Sequence, residues 1–126
     1  MCQATVYLDD VVVMQDFLKV NHFEVLSVCC KVGSIEKEEL GLADTDKIHP
    51  GQYEALCNPI GQAMLLNEAG TDLNIAIGLC VGHDSLFFQH SRSPVTVLVA
   101  KDRVTGHNPV AAIYTSHSYY SRLKDG

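Results

Sequence analysis

The stretch IAIGLCVGHD, residues 75–84, decides the fold. Its apolar run ends in a polar segment whose side chains can bind ligands or react, and the pattern also occurs in VLSVCCKVG (25–33) and VTVLVAKDRVTGHNP (95–109). Each apolar run predicts a buried strand, and each polar segment predicts the loop that follows the strand. The carboxyl ends of parallel strands meet at one edge of an open α/β sheet, where ligands bind. The sequence therefore predicts one shared crevice holding Cys29, Cys30, Cys80, His83 and His107.

Helical periodicity separates these apolar runs. Asp9 is a good N-cap, and the apolar residues behind it recur at a spacing of three and four, which predicts a helix. A second apolar stripe begins at Pro50 and reaches about Leu66, but Pro59 interrupts it. Either one helix kinks at Pro59, or a new helix starts there with Asn58 as its N-cap.

Strands and shorter elements fill the rest of the chain. Strands are predicted over 2–8, 23–30, 72–80 and 95–100. Between them we expect a short exposed helix over 35–40 and a surface loop over 41–50. Two further helices are expected after Asp84 or Ser85 and after Asn108-Pro109.

This alternation predicts the fold class. Near-continuous apolar strands between helices indicate a parallel sheet that is covered on both faces. We expect one α/β domain over 1–126, with a small three-layer, open and mainly parallel sheet of the Rossmann-like or flavodoxin-like kind. Three to four strands are few for such a sheet, so either the chain forms a homo-oligomer, a dimer, or its first strand is incomplete.

Composition excludes several classes of function. The 126 residues are 47% hydrophobic and 19% charged, with a net charge of −6, and no basic stripe is visible that would bind nucleic acid. No apolar stretch approaches the roughly 20 residues of a membrane span. Without a secretory signal we expect a cytoplasmic protein, whose five cysteines are reduced thiols.

The cysteines are the main candidates for chemistry. If a helix restarts after Asn58, Cys57 lies just before its N-cap, where the helix dipole favours a thiolate; otherwise Cys57 is one more apolar residue of the stripe. Cys29 and Cys30 are adjacent at a predicted strand end, so their side chains are expected on opposite faces, with Cys30 facing the site.

Two kinds of site can be built from these residues. A Cys₃His set suits zinc or an iron–sulfur cluster, and its predicted ligands are Cys30, Cys57, Cys80 and His83. The candidates for catalysis are Cys57, Cys80 and His107. Lys101 or Arg103 could hold an anionic group. The residues expected to bind a small-molecule ligand are Lys31, Gly82, Asp84 and Asn108.

Three long blocks carry a resemblance to a known family: CCKVG, ALCNPIGQAMLLNEAGTDLNIAIGLCVGHDS and PVTVLVAKDRVTGHNPVAAIY. Over residues 23–114 the chain resembles a family of small bacterial and archaeal proteins of unknown function, described as predicted metal-binding proteins because of their cysteines. The resemblance implies that the cysteines and histidines of these blocks form the site. Family members begin with a cysteine-rich segment and a first strand, whereas this chain starts at Met1-Cys2.

Three hypotheses remain open at this point. The first is a metal- or cluster-binding domain that uses Cys30, Cys57 and Cys80. The second is a thiol-dependent enzyme that acts on a small anionic metabolite, with His83 or His107 as the base. The third is a non-catalytic binding module whose cysteines are only packed.

Overall fold

Helices and strands alternate along the chain. The computed structural model describes residues 5–102 and 104–124. In chain order the helices and strands are α1 (Thr5–Val20), α2 (Pro59–Ala69), β1 (Asn74–Cys80), α3 (His83–His90), β2 (Val95–Lys101) and α4 (Pro109–Tyr114). Short 3₁₀ helices cover Lys37–Leu40, Asp44–Asp46 and Ser121–Leu123. Cys2 and Arg103 lie outside the described residues.

The two strands β1 and β2 form a parallel sheet. Asn74 pairs with Val95 at one end and Cys80 with Lys101 at the other. The crossover between the strands contains α3, which packs on β1 and on α2. The α/β class and the parallel pairing are therefore as predicted, with two strands in the described part of the chain.

The strand predicted over 23–30 is not formed. Two of its carbonyl groups accept hydrogen bonds from the start of α2. The Val28 carbonyl accepts from Gln62 Nε2 at 2.8 Å, and the Cys30 carbonyl accepts from the N–H of Asn58 at 2.7 Å. A strand needs a neighbouring strand to satisfy its backbone, and here a helix start supplies the donors. This segment therefore packs against α2 without joining the sheet.

The N-terminal predictions also fail where the structure describes them. Residues 5–8 of the predicted strand 2–8 are helical, and Asp9 lies inside α1; residues 2–4 are outside the described ranges. A strand here would need a free sheet edge beside it, whereas a helix satisfies its backbone from within. α1 consequently starts before the residue chosen as its cap.

The helix predicted from Pro50 begins nine residues later. α2 starts at Pro59, and Asn58 Oδ1 caps it by accepting from the N–H of Gly61 at 2.8 Å. Proline lacks the N–H that a helix interior requires, and at the first helical position that donor is not needed. The restart is thus the correct alternative. Gly70, with φ 69°, ends the helix in the left-handed region.

A buried lysine organises the loop that precedes α2. Lys47 is 9% exposed, and its ammonium contacts Glu38, Asp44 Oδ1 at 2.8 Å and the carbonyl of Gln52 at 2.7 Å. These contacts raise the pKa of Lys47 above its ordinary value and lower the pKa of both carboxyl groups. Three acceptors satisfy the three ammonium donors, which allows the burial.

None of the helices in the described ranges has the length and apolar character that crossing a bilayer requires.

Candidate functional site

Four cysteines converge on one cavity at the carboxyl end of β1. The cavity has a volume of about 110 Å³, and we call it the cysteine crevice. It is defined by Cys29, Cys30, Cys57, Cys80, His83 and Lys101, with Gln62 in its wall. The structure therefore brings together all four predicted metal ligands, which come from the 23–30 segment, the start of α2, the end of β1 and the start of α3.

Asn58 holds two of these segments together. Its backbone N–H donates to the carbonyl oxygen of Cys30 at 2.7 Å, and its Nδ2 donates to Val32 at 3.4 Å. The same side chain caps α2, so the position of Cys57 is set by the helix start and by the Cys30 backbone together. One asparagine thus links the helix cap to the crevice.

Cys29 and Cys30 both line the crevice. The expectation that they point to opposite faces rested on strand geometry, which this segment does not have. The chain turns here instead, and the N–H of Val32 donates to the Cys29 carbonyl at 3.2 Å. Cys29 is exposed and Cys30 is half-buried.

The end of β1 is shaped by two glycines. Gly78 has a φ of 69°, and the register shifts on both sides of Ile77, which marks an irregularity of the kind that re-aims side chains. Gly82, with a φ of 97°, is the N-cap of α3. Asp84 Oδ1 accepts from the N–H groups of Gly82 and Ser85, both at 2.8 Å. Gly82 and Asp84, predicted as ligand-binding residues, thus shape the turn into α3.

Gln62 is a wall residue that sequence reasoning missed. It is 7% exposed; its Nε2 donates to Val28, and its buried Oε1 accepts no hydrogen bond within the described residues. A carbonyl only accepts, so the amide nitrogen must face Val28 and the oxygen must face away. A glutamine on the apolar face of a predicted helix is the signal that could have identified it.

His107 lies in a separate loop. It has a φ of 65°, its N–H donates to the Asp102 carbonyl at 2.6 Å, and its Nδ1 accepts from the Asp102 N–H at 2.9 Å. The Thr105 hydroxyl on the Asp102 carboxylate lowers the pKa of Asp102. Asn108 caps α4 by accepting from Ala111 at 3.1 Å. The structure places neither His107 nor Asn108 in the wall of the crevice.

Lys31 belongs to a second cavity of about 270 Å³, which shares no lining residue with the cysteine crevice. Its Nζ donates to the carbonyl of Ala55. Nearby, the Tyr53 hydroxyl donates to the Ser34 carbonyl at 2.7 Å. Lys31 thus lines a different cavity from the four described cysteines.

The crevice does not hold a preassembled metal site in this arrangement. Across residues 5–102 and 104–124, no three His, Cys, Asp or Glu side chains lie close enough together to hold a metal ion. The donor set fits zinc by its chemistry.

The fold and the crevice define a small α/β protein with a thiol-lined site at the carboxyl end of its strands. Residues 2–98 match the family described as "Protein of unknown function (DUF1847)", and the chain belongs to that family. It is 54% identical over 105 residues to "Uncharacterized protein MJ0455" of the archaeon Methanocaldococcus jannaschii. The match covers 83% of this chain and 52% of that relative, so the chain spans about half the relative's length. No solved structure matches the chain.

Proposed function

We propose that the cysteine crevice binds a small anionic metabolite and presents it to a reactive cysteine thiol. The observation that carries the proposal is the presence of Lys101 and His83 in the wall that also holds Cys30, Cys57 and Cys80. A cavity of about 150 Å³ accommodates benzene, so a crevice of about 110 Å³ encloses a ligand portion of only a few heavy atoms.

Cys57 is the nucleophile in this proposal. It directly precedes Asn58, the N-cap of α2, a helix of 11 residues. The positive end of a helix dipole stabilises a thiolate, which is the reactive form of cysteine. Cys80 ends β1 and precedes α3 by a longer turn, which makes it the second choice.

His83 and Lys101 supply the remaining roles. His83 is the first residue of α3 and is half-buried in the crevice wall, where its imidazole is suited to general base catalysis. Lys101 ends β2 beside Cys80, and its ammonium would hold the anionic group of the ligand. Of the two histidines considered as the base, the crevice contains His83.

Alkylation kinetics test this proposal. At pH 7 we expect iodoacetamide to label Cys57 at least about tenfold faster than an unperturbed thiol, because more of it is ionised. Anionic iodoacetate should react with Cys57 faster than iodoacetamide does, because Lys101 attracts it. This difference in rate should disappear in Lys101→Met. Lys124→Met, at a lysine that does not line the crevice, is the matched control and should leave both rates unchanged. Equal, ordinary rates at all four described cysteines would refute the proposal.

The same experiment separates a second candidate, metal binding. The gathering of the Cys₃His set in one crevice favours it, and zinc or an iron–sulfur cluster would then be held by Cys30, Cys57, Cys80 and His83 once their side chains rotate towards one another. In that case zinc added to the reduced protein protects Cys30, Cys57 and Cys80 together from alkylation. Protection of none of the three would contradict metal binding.

We also propose that two copies associate through β2. The chain exposes 8601 Å², against about 6600 Å² for a typical folded monomer of 13.8 kDa. Part of this exposed area is apolar surface on β2, which is an edge strand of the described sheet. Pairing of β2 with its copy would give four strands across the dimer and cover Val97 and Leu98, which are 42% and 51% exposed.

Light scattering measures this association. We expect a particle of about twice the mass of the chain, and monomers for Leu98→Lys, since a charge on the outer surface of an edge strand opposes pairing. Leu123→Lys, at a similarly exposed leucine (48%) outside the sheet, is the control and should remain a dimer. A wild-type chain that is monomeric at every concentration tested would rule out the dimer.

A further inference from the structure

Cys30 and Cys57 are held close together by a backbone hydrogen bond. The N–H of Asn58, the residue after Cys57, donates to the Cys30 carbonyl oxygen at 2.7 Å. The carbonyl oxygen lies about 2.4 Å from the Cα of Cys30, and the Asn58 nitrogen lies about 2.4 Å from the Cα of Cys57. The two Cα atoms are therefore within about 7.5 Å, and the usual bend at a carbonyl oxygen brings them closer. Cysteines with Cα atoms about 4.4–6.8 Å apart can form a disulfide.

The surroundings distinguish this pair from the other two cysteines of the crevice. Cys30, Cys57 and Cys80 are half-buried, whereas Cys29 is exposed. Cys80 is anchored separately, because its strand pairs with β2 next to Lys101. Cys30 and Cys57 thus line one crevice, are connected by a backbone hydrogen bond, and share the crevice lining with the cation Lys101.

We infer that Cys57 and Cys30 are the attacking and the resolving thiol for a small anionic disulfide. The inference rests on the proposed function, because it uses the same Cys57 thiolate and the same Lys101 ammonium. It goes further by naming the substrate class and by giving a role to Cys30.

The chemistry balances as two exchange steps. The Cys57 thiolate attacks one sulfur of the substrate R–S–S–R; a protein–substrate disulfide forms, the substrate's S–S bond breaks, and RS⁻ leaves. Cys30 then gives its proton to His83 and attacks the Cys57 sulfur, so that the Cys30–Cys57 disulfide forms and the second RS⁻ leaves. The substrate gains two electrons and the protein dithiol loses them. An external thiol reductant returns the protein pair to the reduced state.

Reaction of the reduced full chain with oxidised glutathione tests the inference. We expect a loss of about 2 Da, the two hydrogens of a new disulfide. Digestion after Glu24, Glu36, Glu54 and Glu68 separates the peptides of Cys57 and Cys80 and should show Cys57 joined to the peptide that holds Cys29 and Cys30. Neutral bis(2-hydroxyethyl) disulfide should react at least about tenfold more slowly, because it lacks the charge that Lys101 attracts.

Variants identify the resolving thiol. In Cys30→Ser the glutathione adduct on Cys57 should persist, with release of the second thiol slowed at least about tenfold. Cys29→Ser and Cys80→Ser each remove a crevice thiol but keep both Cys30 and Cys57, so the Cys30–Cys57 bridge should still form in both variants. Unchanged release in Cys30→Ser, or a wild-type bridge that involves Cys80, would overturn the inference. Because the peptide map uses unsubstituted protein, a folding defect of the variant cannot decide the result.

The experiment also separates this inference from the proposal on which it rests. If Cys57 takes up glutathione quickly but no bridge to Cys30 follows, the inference fails and the reactive Cys57 stands. If Cys57 reacts with either disulfide no faster than an ordinary thiol, both fail.

Discussion

Phe87→Ala is expected to lower the free energy of unfolding by about 3–5 kcal/mol, the usual range for emptying a buried phenylalanine site. Phe87 is 4% exposed, and the other buried hydrophobic residues of the described chain are the alanines Ala55, Ala63, Ala76 and Ala112. It lies on α3, which packs on both β1 and α2. Its loss therefore removes the largest apolar side chain of the core.

Phe88→Ala is the matched control for this prediction. Phe88 is 39% exposed, and its ring meets that of Phe87 edge to face at 6.4 Å between centroids. Both substitutions delete the same atoms and the same ring contact, so the difference between their effects on the free energy of unfolding reports burial. We expect Phe88→Ala to lower this free energy by about 1 kcal/mol. Urea unfolding followed by circular dichroism measures both, and equal losses would show that Phe87 is not the centre of the core.

Gly61→Ala is expected to destabilise the protein, although alanine is the better helix former by about 1 kcal/mol. A Cβ at position 61 would lie 2.5 Å from Asn58 Nδ2 and 2.9 Å from Asn58 Oδ1. The side chain of Asn58 would have to leave its capping position and its contact with Val32. Losing an asparagine cap costs about 1–2 kcal/mol, which outweighs the gain in propensity.

A double-mutant cycle isolates the cause. In the background of Asn58→Ala the clash is gone, so Gly61→Ala should then stabilise the protein by up to about 1 kcal/mol. The effect of Gly61→Ala on stability is thus expected to change sign when Asn58 is replaced by alanine. The same destabilisation in both backgrounds would mean that Gly61 is required for another reason. Urea unfolding of the four proteins completes the measurement.

Local signals predicted several elements correctly. The Asn-Pro pairs at 58–59 and 108–109 mark the starts of α2 and α4, because an N-cap and a first-turn proline act within one helical turn. The apolar runs 72–80 and 95–100 correspond to β1 and β2. The equally apolar run 23–30 does not form a strand. Apolar composition specifies burial, but a strand also requires a neighbour with an open edge.

The candidate site, like the fold, was predicted only in part from local signals. The polar segments at the ends of the apolar runs were sufficient to predict that Cys30, Cys80 and His83 share a crevice. They did not separate His107 and Lys31 from the site, because the Asp102 loop and the Ala55 carbonyl that hold these two residues are contacts that a linear pattern does not encode.

The sequence by itself determined the α/β class, the capped helix starts and the inventory of thiols, since these depend on residue types and on the spacing of neighbouring residues. Only the tertiary structure decided that the 23–30 segment bonds to α2, which places Cys30 beside Cys57. The physical reason is that backbone carbonyls bond to whichever donors the fold brings within reach. At Cys30 that donor is the N–H of Asn58.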